Sequence, residues 1–138
     1  MAETVAGERW LYTVLSGDAQ IVAAVGMRIY GYRAEQGKAR PYILYQWQGG
    51  VDLMVVGAAR VWTESTYLVR AVADETNFTG VLKTLADRID AVLHAASGTV
   101  VDGVVVSCVR EAPWSMVEAG VGGDEVRQLG GVYRLRVQ

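Results

Sequence analysis

The sequence predicts an α+β fold: an antiparallel β-sheet with an N-terminal helix and one long helix packed on one face, and hairpins or loops projecting beyond it. Three observations lead there. Apolar residues recur at three- and four-residue spacing near the N terminus and between about Asn77 and Ser97, whereas the other segments are rich in β-branched and aromatic residues. These elements come in blocks (helix, strands, long helix, strands), which argues against alternating parallel βαβ units. The 138 residues are 51% hydrophobic and 20% charged, as expected of one domain spanning 1–138. A chain of that length removes about two-thirds of its unfolded surface from water.

From Ala2 to Gly26 the chain reads as helix, with Trp10, Leu11, Val14 and Leu15 on one apolar face. Ser16-Gly17-Asp18 breaks it. Asp18 is placed to cap a short second helix running to Val25, and Gly26 stands where a left-handed residue closes such a helix. Arg28 to Tyr32 is a short strand, and Arg33 to Arg40 a polar loop. Pro41 opens a strand from Tyr42 to Gln48, which Gly49-Gly50 is expected to interrupt. Val51 to Val56 is then a further strand or half of a projecting hairpin. Arg60 to Val72 is the longest candidate strand, with Tyr67, Val69 and Ala71 on one face and Leu68, Arg70 and Val72 on the other. The long helix carries Phe78, Val81, Leu82, Leu85, Ile89, Val92 and Leu93 as a buried stripe, opposite Lys83, Asp87, Asp90 and His94. Asp74, Thr76 or Asn77 is expected to cap its start, and Gly98 follows its end. Strands from Gly103 to Glu111 and from Val132 to Val137 complete the chain. In the last, Tyr133, Leu135 and Val137 face the core while Arg134 and Arg136 point away.

Composition narrows the function classes. Thirteen Lys+Arg against 15 Asp+Glu give a net charge of -2, without the basic excess of a free-standing nucleic-acid binder. A single cysteine, Cys108, and a single histidine, His94, exclude an intramolecular disulfide, a multi-cysteine zinc site and paired-histidine ligation. Glu3, Glu8 and Arg9 precede any apolar run, the wrong order for a secretion signal, and no stretch approaches the roughly 18 apolar residues of a membrane span. The expectation is a soluble, intracellular protein, in which the acceptor triplet Asn77-Phe78-Thr79 is chance.

The residue types that carry catalysis do not converge. His94 has the right intrinsic pKa for a general base but falls on the charged outer face of the long helix, with Asp87 and Asp90. Cys108 lies within an apolar strand, as a small core residue does. Asp74-Glu75 reads as a helix cap, Asp87 and Asp90 as a wet helix face and Asp124-Glu125 as a loop, none of them the desolvated carboxyl that acid–base work needs. Gly120-Val121-Gly122-Gly123-Asp124 lacks the Lys-Ser/Thr of a phosphate loop and reads as a flexible connection. Eleven of the 13 basic residues are arginine. Arg33, Lys38 and Arg40 share one loop and Arg134 and Arg136 one strand face; pairing with a neighbouring subunit's carboxylates is favoured over phosphate contact. Leu53-Met54-Val55-Val56 and Ala112-Pro113-Trp114-Ser115-Met116-Val117 place large apolar side chains where loops are expected. Two readings stand for them: a contact surface, or loops folded back over the sheet as core.

In order along the chain, several segments carry a family resemblance. They are Leu11-Tyr12-Thr13-Val14-Leu15, the run Asp18 to Gly26, Arg28-Ile29-Tyr30, Arg40-Pro41-Tyr42-Ile43-Leu44-Tyr45-Gln46, Tyr67 to Val72, the helix Leu82 to Leu93 and Gly131 to Val137. Nearly the whole chain thus resembles the tail-terminator (tail-completion) proteins of long-tailed bacteriophages and gene-transfer particles. The resemblance implies a structural subunit that assembles as a homo-hexameric ring on the head-proximal end of the tail tube, stops tube polymerisation and presents the surface for the head connector. It implies neither catalysis nor a cofactor, and a lumen through which DNA passes ungripped, in keeping with the mild acidity. The partners implied are the tube protein and the connector or neck protein; the location is the virion, after assembly in the host cytoplasm. The candidate interface comprises Arg33, Lys38, Arg40, Leu53, Met54, Val55, Trp114, Met116, Val117, Arg134 and Arg136. The segments Gly49 to Arg60 and Ala112 to Gly130 are longer and more apolar than the family pattern leads one to expect. Another head–tail joining protein, or a small α+β ligand-binding module or enzyme, are the alternatives.

Overall fold

Six strands form one curled sheet in the order β1-β2-β3-β6-β5-β4. The structure, a computed structural model, describes residues 2–35, 37–54, 56–57, 60–119 and 125–138. Its elements are α1 (Ala2–Ser16), α2 (Ala19–Val25), β1 (Ile29–Gly31), β2 (Tyr42–Met54), β3 (Arg60–Ala73), α3 (Val81–Leu93), β4 (Gly98–Val100), β5 (Gly103–Ala119) and β6 (Glu125–Val137). Every strand pair is antiparallel except β1–β2, which runs parallel, so the sheet is mixed where a purely antiparallel one was expected. The chain passes directly from α2 into β1 and then crosses by the loop after Gly31 to start β2 from the same end.

The alternation of strand side chains assigns each face. Tyr67, Val69 and Ala71 of β3 and Tyr133, Leu135 and Val137 of β6 point to the helical side and are at most 1% exposed, as the pattern predicts. Trp10, Leu11 and Leu15 of α1, Ile21 and Val25 of α2, and Leu82, Leu85, Ile89 and Leu93 of α3 close over them in one core cluster. Each fully buried leucine there contributes about 1.5–3 kcal/mol of transfer free energy. Gly7 lets α1 approach the sheet: a Cβ at this position would sit 2.8 Å from the Tyr67 hydroxyl, which donates to the Thr4 carbonyl at 3.0 Å.

Caps follow the sequence in one case and depart in another. Asp18 accepts from the Ile21 amide at 3.1 Å, as predicted, and also takes a two-pronged contact from Arg88 of α3, at 2.9 and 2.6 Å. Gly26 closes α2 at φ 60°. α3, by contrast, starts at Val81 and is shorter than the predicted helix; its cap is neither Asp74, Thr76 nor Asn77. The Glu75 carboxylate reaches back to the Val81 amide at 2.7 Å, while Asn77 is spent on a local turn with Thr79. Phe78 therefore packs against the core from the preceding loop, under the Arg127 guanidinium.

Two further expectations are corrected. Gly49-Gly50 do not interrupt β2; the strand continues to Met54 with a bulge between Trp47 and Gly49 that absorbs one residue. Likewise Ala112 to Val117 is strand, not loop, because β5 runs to Ala119 against a β6 that starts at Glu125. Pro113 does not end β5. It sits on the sheet's outer edge, where no amide is required.

Candidate functional site

The register places the two long hairpins at opposite ends of the sheet. Thr63 pairs with Val137 and Ala73 with Arg127. The β2–β3 hairpin thus extends past the end of β6, and the β5–β6 hairpin extends past the end of β3. Exposed large apolar side chains stand on these hairpins: Trp47 and Val51 (63%) on β2 with Met54 (57%) at the projecting tip, and Met116 (45%) and Val117 (49%) on β5 just short of the other projection.

The face opposite the helices has no covering layer among the described residues. At one end Leu53 stands across from Trp62, and the Arg136 guanidinium lies 5.3 Å over the Trp62 ring while its Nε donates to Glu64 at 2.8 Å. Arg134 pairs with Glu111 at 3.1 Å. At the other end Arg70 lies 5.5 Å over the half-buried Trp114 ring and donates to Gln128 at 2.6 Å; Gln128 in turn donates to Glu118. Burial lowers the Arg70 pKa, with the nearby Glu118 charge opposing it. Next to this network Leu44, Val72 and Val126 form a small second cluster under Tyr30, Ala34 and Tyr42.

The predicted interface residues divide into separate groups. Leu53 and Met54 lie on the β2–β3 hairpin with Arg136 near its base, whereas Trp114, Met116 and Val117 lie on the β5–β6 hairpin. Val55 lies outside the described residues, as does the Gly120 to Asp124 loop. Arg33, Lys38 and Arg40 are exposed in the connection leading to Tyr42, on the row that includes Val72, Gln128 and Met116. Two of these three are already paired, Lys38 with Glu35 at 3.9 Å and Arg40 with Asp74 at 2.8 Å. Sequence reasoning missed Trp47, Val51, Trp62 and Arg70. The alternation of β3 set Arg70 on the outer face, the one available signal.

The catalytic candidates are committed to structure. His94 is exposed at the end of α3, where its Nδ1 accepts from the Arg110 amide at 3.1 Å. Asp90, expected to be solvated, accepts instead from the Tyr133 hydroxyl at 3.0 Å and faces Arg110 at 3.6 Å. Cys108 is fully buried, and burial followed by the Asp90 charge pushes its thiol up to about 12. An open groove of about 560 Å³ runs along α1 between Tyr45 and Val100-Val101, but its ionic groups are taken: Glu8 accepts from Tyr32, and Arg9 meets Asp102 at 2.6 Å. That bond to Glu8, together with burial, pushes the Tyr32 hydroxyl up to about 12. No group of three His, Cys, Asp or Glu able to hold a metal occurs among the described residues, and no helix there is long and apolar enough to cross a membrane.

A family model described as tail completion protein gp17 matches residues 9–127. The chain belongs to the tail-completion protein family. It is thus a structural protein of a tail, made to associate with other tail or head proteins. No curated protein matches it. Among solved structures, a chain from the virion of a native gene transfer agent particle is similar at a TM-score of 0.76 and 19% identity, covering 99% of this chain and 97% of that one. At that identity the likeness is one of fold. Both the helical layer and the two long hairpins of this tail-completion protein fall within the matched region.

Proposed function

We propose that this tail-completion protein forms a homo-hexameric ring at the head-proximal end of the tail tube, ends tube polymerisation and offers the joining surface for the head connector. Its role is structural and non-enzymatic, and DNA passes through the lumen without specific binding. The observation that carries this reading is the pair of hairpins, which leave Val51, Met54, Met116 and Val117 in water at opposite ends of one sheet. Such patches on a chain of this family fit a subunit that is covered on more than one side. Trp114 and Met116 contact the tube or the adjacent subunit, and Arg33 with its neighbours Lys38 and Arg40 meets acidic partners.

Light scattering and negative-stain imaging of the purified chain test the ring: particles of about six times 14.9 kDa with a central hole are expected. Added to growing tail tubes, the protein is expected to stop elongation. A chain that remains monomeric and leaves tube growth unchanged refutes the proposal.

A further inference from the structure

The end of α3 is fastened to the outer edge of β5 by hydrogen bonds. β4 pairs with β5 only at Gly103 to Val105. Beyond it the chain leaving α3 takes the place of a strand. The Ala95 amide donates to the Cys108 carbonyl at 2.7 Å, and the Arg110 amide donates to Nδ1 of His94 at 3.1 Å. Ala95 is held at φ 66°, a left-handed conformation that a residue with a Cβ keeps only where its surroundings impose it. The bond to His94 depends on a proton. A ring nitrogen accepts a hydrogen bond only while it carries none, and a charged imidazole has a proton on both nitrogens. No rotation of the ring then restores an acceptor for the Arg110 amide. Histidine is also the side chain whose charge changes between about pH 5 and 8. The charged groups around the ring give it somewhere to go. On α3, Asp90 lies one turn before His94, and Asp87, paired with Lys83 at 2.6 Å, lies two turns before. A charged ring can turn to the Asp90 carboxylate and the last helix carbonyls, which attract a cation. From β5 the Arg110 guanidinium, 3.6 Å from Asp90, repels it and drives it off the strand. The Tyr133 hydroxyl of β6 is turned to Asp90 at 3.0 Å, and the buried Cys108 thiol carries no charge at neutral pH.

We propose that His94 is an acid-sensitive clasp between α3 and β5. Neutral, it holds the end of the helix on the strand; protonated, it lets the Arg110 amide go. The remaining bond, from Ala95 to Cys108, is then anchored by the one residue of this connection in a strained conformation, and it opens too. The seam between helix and strand loosens on acidification, while the β3–β6 ladder, which contains no histidine, stays closed. This inference stands apart from the ring reading, because every group in it belongs to a single chain.

Amide hydrogen exchange of the intact chain, read by NMR and corrected for the intrinsic pH dependence of exchange, tests the clasp. Between about pH 7.5 and about pH 5, protection of the Arg110 and Ala95 amides is expected to fall about tenfold, as the loss of one hydrogen bond dictates. Amides of the β3–β6 ladder should keep theirs. His94→Asn puts a neutral acceptor oxygen near the place of Nδ1 and is expected to remove the pH dependence. His94→Phe keeps a ring without an acceptor, and its Arg110 amide should be poorly protected at both pH values. Circular dichroism checks that both variants are folded. Equal protection at the two pH values in the parent, or a fall of the same size in either variant, overturns the clasp.

Discussion

Gly130 is the position where a single methyl group should do the most damage. It lies mid-strand in β6, paired with Arg70 on one side and Trp114 on the other. A Cβ built there would stand 2.0 Å from the Val69 carbonyl oxygen and 2.6 Å from the Arg70 Cα, both backbone atoms of β3. Ordinary contact begins at 3.4 Å, so Gly130→Ala requires β3 and β6 to part by more than about 1 Å. Doing so forfeits two or three ladder hydrogen bonds at about 1 kcal/mol each and loosens the Val69, Tyr67 and Tyr133 packing by about 1–2 kcal/mol. The total of about 3–5 kcal/mol is a large share of the 5–15 kcal/mol typical of a domain. At roughly 4 °C per kcal/mol for this length, the melting temperature should fall by about 12–20 °C. Gly131→Ala is the control: its nearest foreign atom is the flexible Arg110 Cδ at 3.0 Å, and the expected loss is about 1 kcal/mol. Urea unfolding of the three proteins reads both numbers. If Gly130→Ala unfolds within about 1 kcal/mol of the parent, the close approach of β3 to β6 is wrong.

Three other outcomes are expected. Asp18→Ala removes the α2 cap and the partner of Arg88 and should cost about 1–2 kcal/mol at neutral pH. The Arg88 hydrogen bond holds the Asp18 carboxyl below its usual range, so its contribution is present above about pH 4 and lost on further acidification; the gap between parent and variant should therefore narrow at pH 2–3. The Cys108 thiol should resist an aromatic disulfide reagent at pH 8 until urea unfolds the chain; immediate reaction would contradict its burial. Burial raises the pKa of both Tyr67 and Tyr133, which stabilises the fold below the ordinary tyrosine value of about 10 and opposes it as the pH climbs beyond. In an absorbance titration, two tyrosines should ionise only with unfolding, and one fewer in Tyr133→Phe.

The helices and the inner face of the sheet were legible because burial writes a period into the sequence. Leu82, Leu85, Ile89 and Leu93 can share one side of a helix only if that side is covered, and Tyr133, Leu135 and Val137 can share one side of a strand only if the other side is wet or polar. Boundaries were less legible wherever a glycine or proline is used for space or edge position instead of for a turn. Gly49-Gly50 and Gly130-Gly131 lie inside strands, and Pro113 lies on an outer edge. Nor could one sequence reveal contacts between distant segments, such as Asp18 with Arg88 or Asp90 with Tyr133, because nothing in the local pattern of either element points to the partner on the other.

The apolar anomaly shows where that legibility ends. Leu53, Met54, Trp114 and Met116 stood out because they fell where loops were expected, and the structure removes that reason by making both segments strand. It does not remove the anomaly, because Met54 and Met116 remain exposed in their strands. A monomeric sheet with one wet face would carry polar residues at these positions, as it does at Thr66 and Arg134 nearer the middle of the same face. Apolar ends around a polar middle make sense when the ends, and not the middle, are covered by something else. The backbone agrees: the edges are bare along the same stretches, and they are dressed by β1, β4 and α3 elsewhere. Side chains and backbone independently mark the same two segments, which is why those segments, and not the paired arginines, are the parts of the surface to be explained by assembly.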